Sequence, residues 1–365
     1  MSIISHLKKN FYPHFALIRI KILRLNLKLF YRDKINKIIK AYKPKSLTSE
    51  EQQQIKRFFF QKGYTSVKLD WHRFYTASNG HFSVRYIPED LFHAKIAIML
   101  NQMRQWPSLL DKNLSEILFA DVKQPVVIIK NVNEFYYKNG MQLKAEDAIS
   151  SCLKEDKFII KPTIETGGGT GVQLYMTSQK NRDDIKHLFN TYNDKDFIVQ
   201  KVVDQHSEMR KLNPSSLNTL RICSYLNESG VHIFSAIVRV GKANNFTDNC
   251  ASGGIACGID NEGRIKEFGY LKYGQQRHTT DSGILLKGFK IPAYFKAIEC
   301  IKKIHHKVPY FRIISWDIAI DNEQDPVFIE YNVYRQDISI MQLANGPLFG
   351  NFTDEILSIG NNNLA

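Results

Sequence analysis

The sequence predicts an α+β protein built as two lobes with a cleft between them. Three observations predict it. At 365 residues the chain is too long for one small core. Helix and strand signals alternate between residues 111 and 203. Beyond Asn213 strand signals dominate and one helix interrupts them.

The N-terminal 45 residues stand apart by charge. They carry twelve Lys and Arg against one acid, Asp33, so +11 of the formal +14 resides there. Large apolar residues from Phe15 to Phe30 interleave with Lys21, Arg24, Lys28 and Arg32, which recur at helical spacing. No uncharged run of about 18 residues exists, so the segment is not a transmembrane span. Charges interrupt its apolar stretch and no small-residue cleavage site follows, so it is not a cleavable signal peptide. A basic amphipathic helix has three uses: an anionic membrane surface, packing on the rest of the protein, or nucleic acid. Nucleic acid ranks last because no recognisable module accompanies the charge. The expectation is a cytoplasmic protein associated peripherally with the inner face of a membrane through residues 1–45.

Residues 43–49 (KPKSLTS) read as a short linker. Thr48 followed by Glu51 and the apolar Ile55, Phe58 and Phe59 signals a capped helix start. Residues 46–110 read as a small N-terminal domain ending in a helix near Ala94 to Met103. A first lobe spans 111–203, with a helix from Asp111 to Phe119 and another over Ala145 to Leu153. Strands are expected at Pro125–Ile129, Lys157–Lys161, Val172–Tyr175 and Phe197–Gln200, with a helix near Asp183–Tyr192. The second lobe, 204–365, has strands at Leu220–Leu226, Val231–Val240, Phe268–Leu271, Ile313–Ile320 and Val327–Tyr331. Its helix covers about Ala293 to Val308. Five scattered cysteines with no CxxC pair argue against a disulfide framework or a zinc site and fit a reducing compartment.

Two segments carry chemistry. Lys161 ends a strand, and Gly167, Gly168, Gly169 and Gly171 follow within a few residues. Such glycines let backbone N–H groups approach an anion, and the lysine supplies charge beside the same phosphates. No Gly-Lys-Ser/Thr follows, so this is not a P-loop, nor is it the dinucleotide GxGxxG pattern. A surface hairpin would also explain the glycines alone. The second segment is Ser315–Ile320, a polar turn, and Phe328–Asn332. A turn centred between Glu323 and Gln324 sets Asp317 opposite Glu330, with Asn332 on the same face. Two carboxylates and an amide oxygen on one face suit Mg²⁺. A solvated acidic face is the alternative, but Asp317 sits in a strongly apolar strand where an unpaired carboxylate is costly.

Together these motifs resemble the ATP-grasp superfamily. The matching residues are Lys112 after an Asp at a helix start, Lys161 before its glycine loop, Ile198 to Val203, and Asp317…Glu330-x-Asn332. In order and spacing they resemble the nucleotide site of D-alanine–D-alanine ligase and its relatives. Gln205-His206, Asn213 through Arg221, and Asp248-Asn249 through Gly253-Gly254-Ile255 resemble most the sugar-transfer-associated ATP-grasp family of bacterial polysaccharide gene clusters. The resemblance covers about residues 80–350.

It implies an ATP-grasp fold with nucleotide in the cleft, and ATP and Mg²⁺ as cofactors. Lys112 and Lys161 would hold α- and β-phosphates, and Gly167 to Gly171 would form a lid. Gln200, Lys201, Val202 and Val203 would form the hinge that reads adenine. The ribose contact would come from the segment Asp204-Gln205-His206-Ser207-Glu208, with Asp204 and His206 as candidates. Asp317, Glu330 and Asn332 would hold one or two Mg²⁺. Arg221 and Arg239 lie on apolar strands, where they either form salt bridges or meet the γ-phosphate and an acyl phosphate. The implied activity is an ATP-dependent carboxylate–amine ligase joining a sugar acid or other carboxylate to an amine or amino acid. A phosphotransferase on the same frame, and a non-catalytic nucleotide-binding scaffold for glycosyltransferases, are the alternatives.

Overall fold

The computed structural model describes residues 3–164, 169–178, 180–192 and 195–361, with side chains described from residue 18 onward. The chain divides into two compact units: Met1–Asn101 with Asp337–Ala365, and Gln102–Gln336.

The first unit is helical. The helix Ile3–Tyr42 leads, followed by Ser49–Gln61 and Asp70–Asn79. Thr48 and Glu51 form the reciprocal capping box, each side chain bonding the other's backbone N–H. A further helical stretch, Glu89–Leu100, carries a π-helical turn at Phe92–Ile96. The basic N-terminal helix therefore belongs to a larger unit instead of standing alone over 1–45. Leu27, Tyr31, Ile35 and Ile38 are buried. Lys34 reaches Glu89 at 2.7 Å and Asp337 at 2.9 Å. The residues from 337 on also join this unit, where the second lobe was expected to continue to 365. Gln342 explains why: its side chain exchanges two 2.8 Å hydrogen bonds with the backbone of Ile87. Tyr64 adds a 2.7 Å bond to the Leu357 carbonyl.

The second unit holds two antiparallel sheets. The strands of the first are β1 (Val127–Val132), β2 (Phe135–Lys138), β3 (Met141–Leu143), β4 (Lys157–Pro162), β5 (Gln173–Met176) and β6 (Phe197–Lys201). They lie in the order β3-β2-β1-β6-β4-β5. Helices Ala145–Leu153 and Arg182–Asn190 share a core with this sheet through Ile149, Cys152, Ile185 and Phe189. The second sheet contains β7 (Thr219–Asn227), β8 (Gly230–Val240), β9 (Ile255–Ile259), β10 (Ile265–Tyr270), β11 (Gln276–Arg277), β12 (Ile313–Ile320) and β13 (Pro326–Asn332). Its order is β11-β10-β9-β8-β7-β12-β13.

The register of the second sheet sorts its faces. Leu220, Ile222, Val238, Cys257, Trp316, Ile318, Phe328 and Tyr331 join one core with Ala297, Ile301 and Ile304 of the helix Tyr294–His305. Phe328 and Tyr331 are three residues apart, which a regular strand would send to opposite faces. A bulge resolves this. Asp317 pairs with Glu330 while Ile318 pairs with Phe328, so Ile329 is the extra residue. The expected pairing of Asp317 with Glu330 is thus present, but the hairpin past the bulge is centred on Glu323.

A buried chain of hydrogen bonds underlies the sheet. Trp316 Nε1 donates to Ser224 Oγ at 2.7 Å. Ser224 Oγ lies 2.8 Å from His305 Nδ1, and His305 Nε2 lies 2.8 Å from the Phe311 carbonyl. The carbonyl requires Nε2 to carry the proton, so Nδ1 accepts from the hydroxyl and the imidazole is neutral. Burial pushes His305 down from 6.5 to about 4, with the Phe311 carbonyl opposing. The unfolded chain takes up this proton near pH 6.5 and the folded chain only near 4. The stabilisation is therefore complete above the upper value and lost as pH falls between the two. His305→Gln is expected to remove on the order of 3 kcal/mol of acid-induced destabilisation across that window. Urea titrations at pH 7 and pH 4.5 measure it; an equal pH response in the variant contradicts the assignment.

Candidate active site

The face of the second sheet opposite the helix Tyr294–His305 is polar. Thr219 and Arg221 on β7, Arg239 on β8, Asp317 on β12, and Glu330 and Asn332 on β13 share it. Arg221 stands opposite Asp317, Arg239 opposite Thr219, and Asp317 opposite Glu330. Opposite Ile237 and Arg239, β9 contributes only Gly258 and Ala256, which leaves room above the sheet.

Asp317 is completely buried. Arg221 grips it with two 2.8 Å hydrogen bonds, Nε to Oδ1 and Nη2 to Oδ2. Arg239 adds a third at 3.1 Å to Oδ2. Burial pushes this carboxyl up, but Arg221 and Arg239 outweigh it and hold it below the usual aspartate range. Both arginines thus form the salt bridge that apolar strands require, and both terminate on a proposed metal ligand. Arg239 also donates to Thr219 Oγ1 at 2.8 Å and lies 3.3 Å from Asp248.

The two lysines meet at the end of β4. The backbone N–H of Lys112 donates to the Thr163 carbonyl at 3.2 Å, and Asp111 caps the short helical turn that Lys112 begins. Lys112 Nζ lies 3.6 Å from Glu330. Lys161 is buried, and burial pushes it from 10.5 down to about 8; Lys112 adds to the fall and Glu330 opposes it. Lys161 comes from the six-stranded sheet and Glu330 from the seven-stranded one, so both sheets supply this cluster.

Glu330 stands directly opposite Asp317 in the strand register. Arg221 and Arg239 already offset the charge of Asp317, and Lys112 part of that of Glu330. Asn332 adds an amide whose nitrogen is buried without a hydrogen-bond partner. This donor set fits a hard divalent cation. A second acidic group, Asp321, Glu323 and Asp325, lies at the β12–β13 turn. Lys123 already occupies it, at 2.5 Å from Asp321 and 3.7 Å from Asp325.

The remaining candidates are distributed differently. Gly167 and Gly168 lie outside the described residues. Gly169 and Gly171 have φ of +76° and +74°, and a Cβ on Gly171 would meet Pro162 Cγ at 2.9 Å. Tyr192 donates to the Gly171 carbonyl at 2.7 Å, which fastens this end of the loop. Gln200 is buried at the end of β6, and Lys201 donates its N–H to the Val126 carbonyl at 2.8 Å. Lys201 Nζ pairs with Glu155 at 2.8 Å. Val202 and Val203 follow, half-buried. Asp204 is tied to Arg210 at 2.5 Å and to Asn322. His206 caps the helix Ser207–Leu212, its Nδ1 accepting the Glu208 N–H at 3.1 Å.

A group of residues that the sequence marks only through the family resemblance holds the backbone behind the arginines. Asn218 is wholly buried; its amide donates to the carbonyls of Met209 and Asn213, both at 2.9 Å. Gln205 accepts the Asn218 N–H at 3.0 Å and donates to the Ser216 carbonyl at 2.7 Å. Asp248 receives both the N–H and hydroxyl of Thr219. These bonds fix the entry into β7, two residues before Arg221. They also latch the loop 248–254 to the sheet. A Cβ on Gly254 would lie 2.7 Å from the Val240 carbonyl, so the latch requires glycine there. Asn213, Asn218 and Asp248 are residues of the motif that resembled the sugar-transfer family; their work here is packing the backbone that aims the arginines.

The model of the sugar-transfer associated ATP-grasp family matches residues 92–356. The chain belongs to that family. The two antiparallel sheets with flanking helices are accordingly an ATP-grasp fold. Among solved structures, this ATP-grasp chain is similar to D-alanyl-alanine synthetase A from Vibrio cholerae, at 12% identity and a TM-score of 0.42. That match covers 69% of this chain and 64% of the other. D-cycloserine synthetase matches at 12% identity and TM-score 0.40, over 71% of each chain. L-amino acid ligase from Bacillus licheniformis matches at 10% identity and TM-score 0.40, over 68% of this chain and 47% of that one. A search of curated protein sequences found no match.

Proposed function

We propose that this ATP-grasp chain is an ATP-dependent ligase that activates a carboxylate and joins it to an amine. Lys161 carries the reading. A buried ammonium beside a second lysine, opposed by one shared carboxylate, is unfavourable unless a polyanion completes the site. Lys112 and Lys161 neutralise the nucleotide's phosphates from below. Asp317, Glu330 and Asn332 would hold magnesium, which supplies positive charge to the phosphate oxygens. Arg221 and Arg239, fixed by Asp317 and Asp248, present guanidinium charge where the phosphoryl group is transferred.

In this reading a substrate carboxylate oxygen attacks the γ-phosphorus, the bond to the β,γ-bridging oxygen breaks, and ADP leaves. An amine nitrogen then attacks the carbonyl carbon of the acyl phosphate. Phosphate departs with the electron pair of the C–O bond, and the amine loses its extra proton to solvent. The family's association with sugar transfer makes a sugar acid, to be joined to an amine or amino acid, the first substrate class to test.

The test is thermal unfolding with ATP and MgCl₂, on wild type and on Glu330→Gln. At a hundredfold excess over Kd, ligation raises native stability by about 2.7 kcal/mol, a rise of about 5 °C. Glu330→Gln is expected to lose the magnesium-dependent part. No shift in the wild type at millimolar nucleotide overturns the proposal. Phosphate release that requires both a sugar acid and an amine then identifies the substrates; release with the acid alone points to a phosphotransferase.

A further inference from the structure

The helix Ile3–Tyr42 has two apolar faces, and the protein covers one. Leu27, Tyr31, Ile35 and Ile38 are buried, and Arg24, Arg32 and Lys34 fasten that side to Ala94, Asp90 and Glu89. At 100° per residue Ile18, Ile22, Leu25 and Leu29 fall within a narrow stripe on the opposite side. They are between 52% and 57% exposed, an unusual degree for four large aliphatic side chains in register. Exposed Arg19 flanks the stripe on one side, and exposed Lys21 and Lys28 flank it on the other. Asp33, the sole acid in the first 45 residues, is bound to Lys37 at 2.7 Å.

We infer that this stripe lies in the interface of an anionic lipid bilayer, with the helix parallel to the surface. Charge decides the occupant. An a/d-like stripe also suits a helix–helix seam, but a second copy would bring a segment of net charge +11 against its like. An anionic bilayer offers the opposite: hydrocarbon for Ile18, Ile22, Leu25 and Leu29, and headgroup phosphates for the flanking cations. Lys21 and Lys28 extend their apolar stems along the stripe while their ammonium groups stay at headgroup level. No helix among the described residues is long and apolar enough to cross a membrane, so the helix lies on the surface. This inference is independent of the ligase reading, since it concerns a face that carries none of the site residues.

Flotation of the full chain tests it, with vesicles of phosphatidylcholine alone and with about 30 mol% phosphatidylglycerol. The wild type is expected to float with the anionic vesicles and to remain soluble with the neutral ones. Ile22→Asp, Leu25→Asp and Leu29→Asp combined are expected to weaken binding at least about tenfold while leaving the melting temperature nearly unchanged, because these side chains are more than half exposed. Lys21→Glu with Lys28→Glu is expected to erase the preference for anionic lipid. Three results overturn the inference. One is wild-type protein that stays soluble with both vesicles. Another is a triple variant that floats like wild type. The third is light scattering that shows a dimer, split by the triple variant, with no vesicle binding.

Discussion

Asp317→Ala is expected to cost the unit Gln102–Gln336 about 3–5 kcal/mol, because it removes the buried carboxylate that takes two hydrogen bonds from Arg221 and one from Arg239. Asp317 is wholly buried, and the Arg221 and Arg239 side chains are only 12% and 13% exposed. Arg239 retains Asp248 and Thr219, but Arg221 loses both of its 2.8 Å bonds. Asp317→Leu combined with Arg221→Met should recover part of the loss, since removing both partners is far cheaper than stranding one. Urea denaturation of the single and double variants measures the coupling. A loss below about 1 kcal/mol in Asp317→Ala contradicts the network as described.

Lys161→Met is expected to have the opposite sign. Its buried ammonium is held at about 8, well below the ordinary 10.5, so the charged form is disfavoured in the folded state. Between those two values the unfolded chain binds the proton and the folded chain does not, so wild-type stability rises with pH across that window. Methionine fills the same space without the charge. At neutral pH the variant should gain about 1–3 kcal/mol and lose the pH-dependent rise. It should also lose the thermal response to ATP. A cation whose removal stabilises the fold and abolishes nucleotide binding is kept for its ligand. A structural lysine would instead destabilise on removal. Denaturant titrations at pH 7 and pH 9.5, with and without nucleotide, separate the two.

Much of this was legible in the sequence, and the gaps have physical causes. The helix Ala145–Leu153 and strand β12 end where their apolar patterns end. The capping box at Thr48 reads directly from two residues three apart. The hairpin β2–β3 was missed although Asn139-Gly140 marks it, with φ of 51° and 77°, the turn that joins adjacent antiparallel strands. β9 was missed because its five residues include a glycine and follow a loop, so no periodicity accumulates. Asp317 met Glu330 through a turn centred half a residue too far along, an offset that the bulge at Ile329 restores. The bond between Arg221 and Asp317 spans 96 positions. Sequence spacing carries no trace of such a partner, and only the adjacency of β7 and β12 reveals it.

Strand order and chain order disagree in the second sheet, and this dictates when the protein can finish folding during synthesis. β7 is made early, yet one of its two neighbours, β12, emerges about ninety residues later. Until then β7 presents nine residues of unpaired backbone along one edge. All four cations of the site, Lys112, Lys161, Arg221 and Arg239, also precede Asp317 and Glu330. A nascent chain halted near residue 310 therefore holds a sticky edge and a cluster of like charges together. That intermediate is where chaperone demand and aggregation should concentrate. The last twenty-six or so residues of this unit cover the exposed edge of β7 and bring Asp317 and Glu330 to the cations.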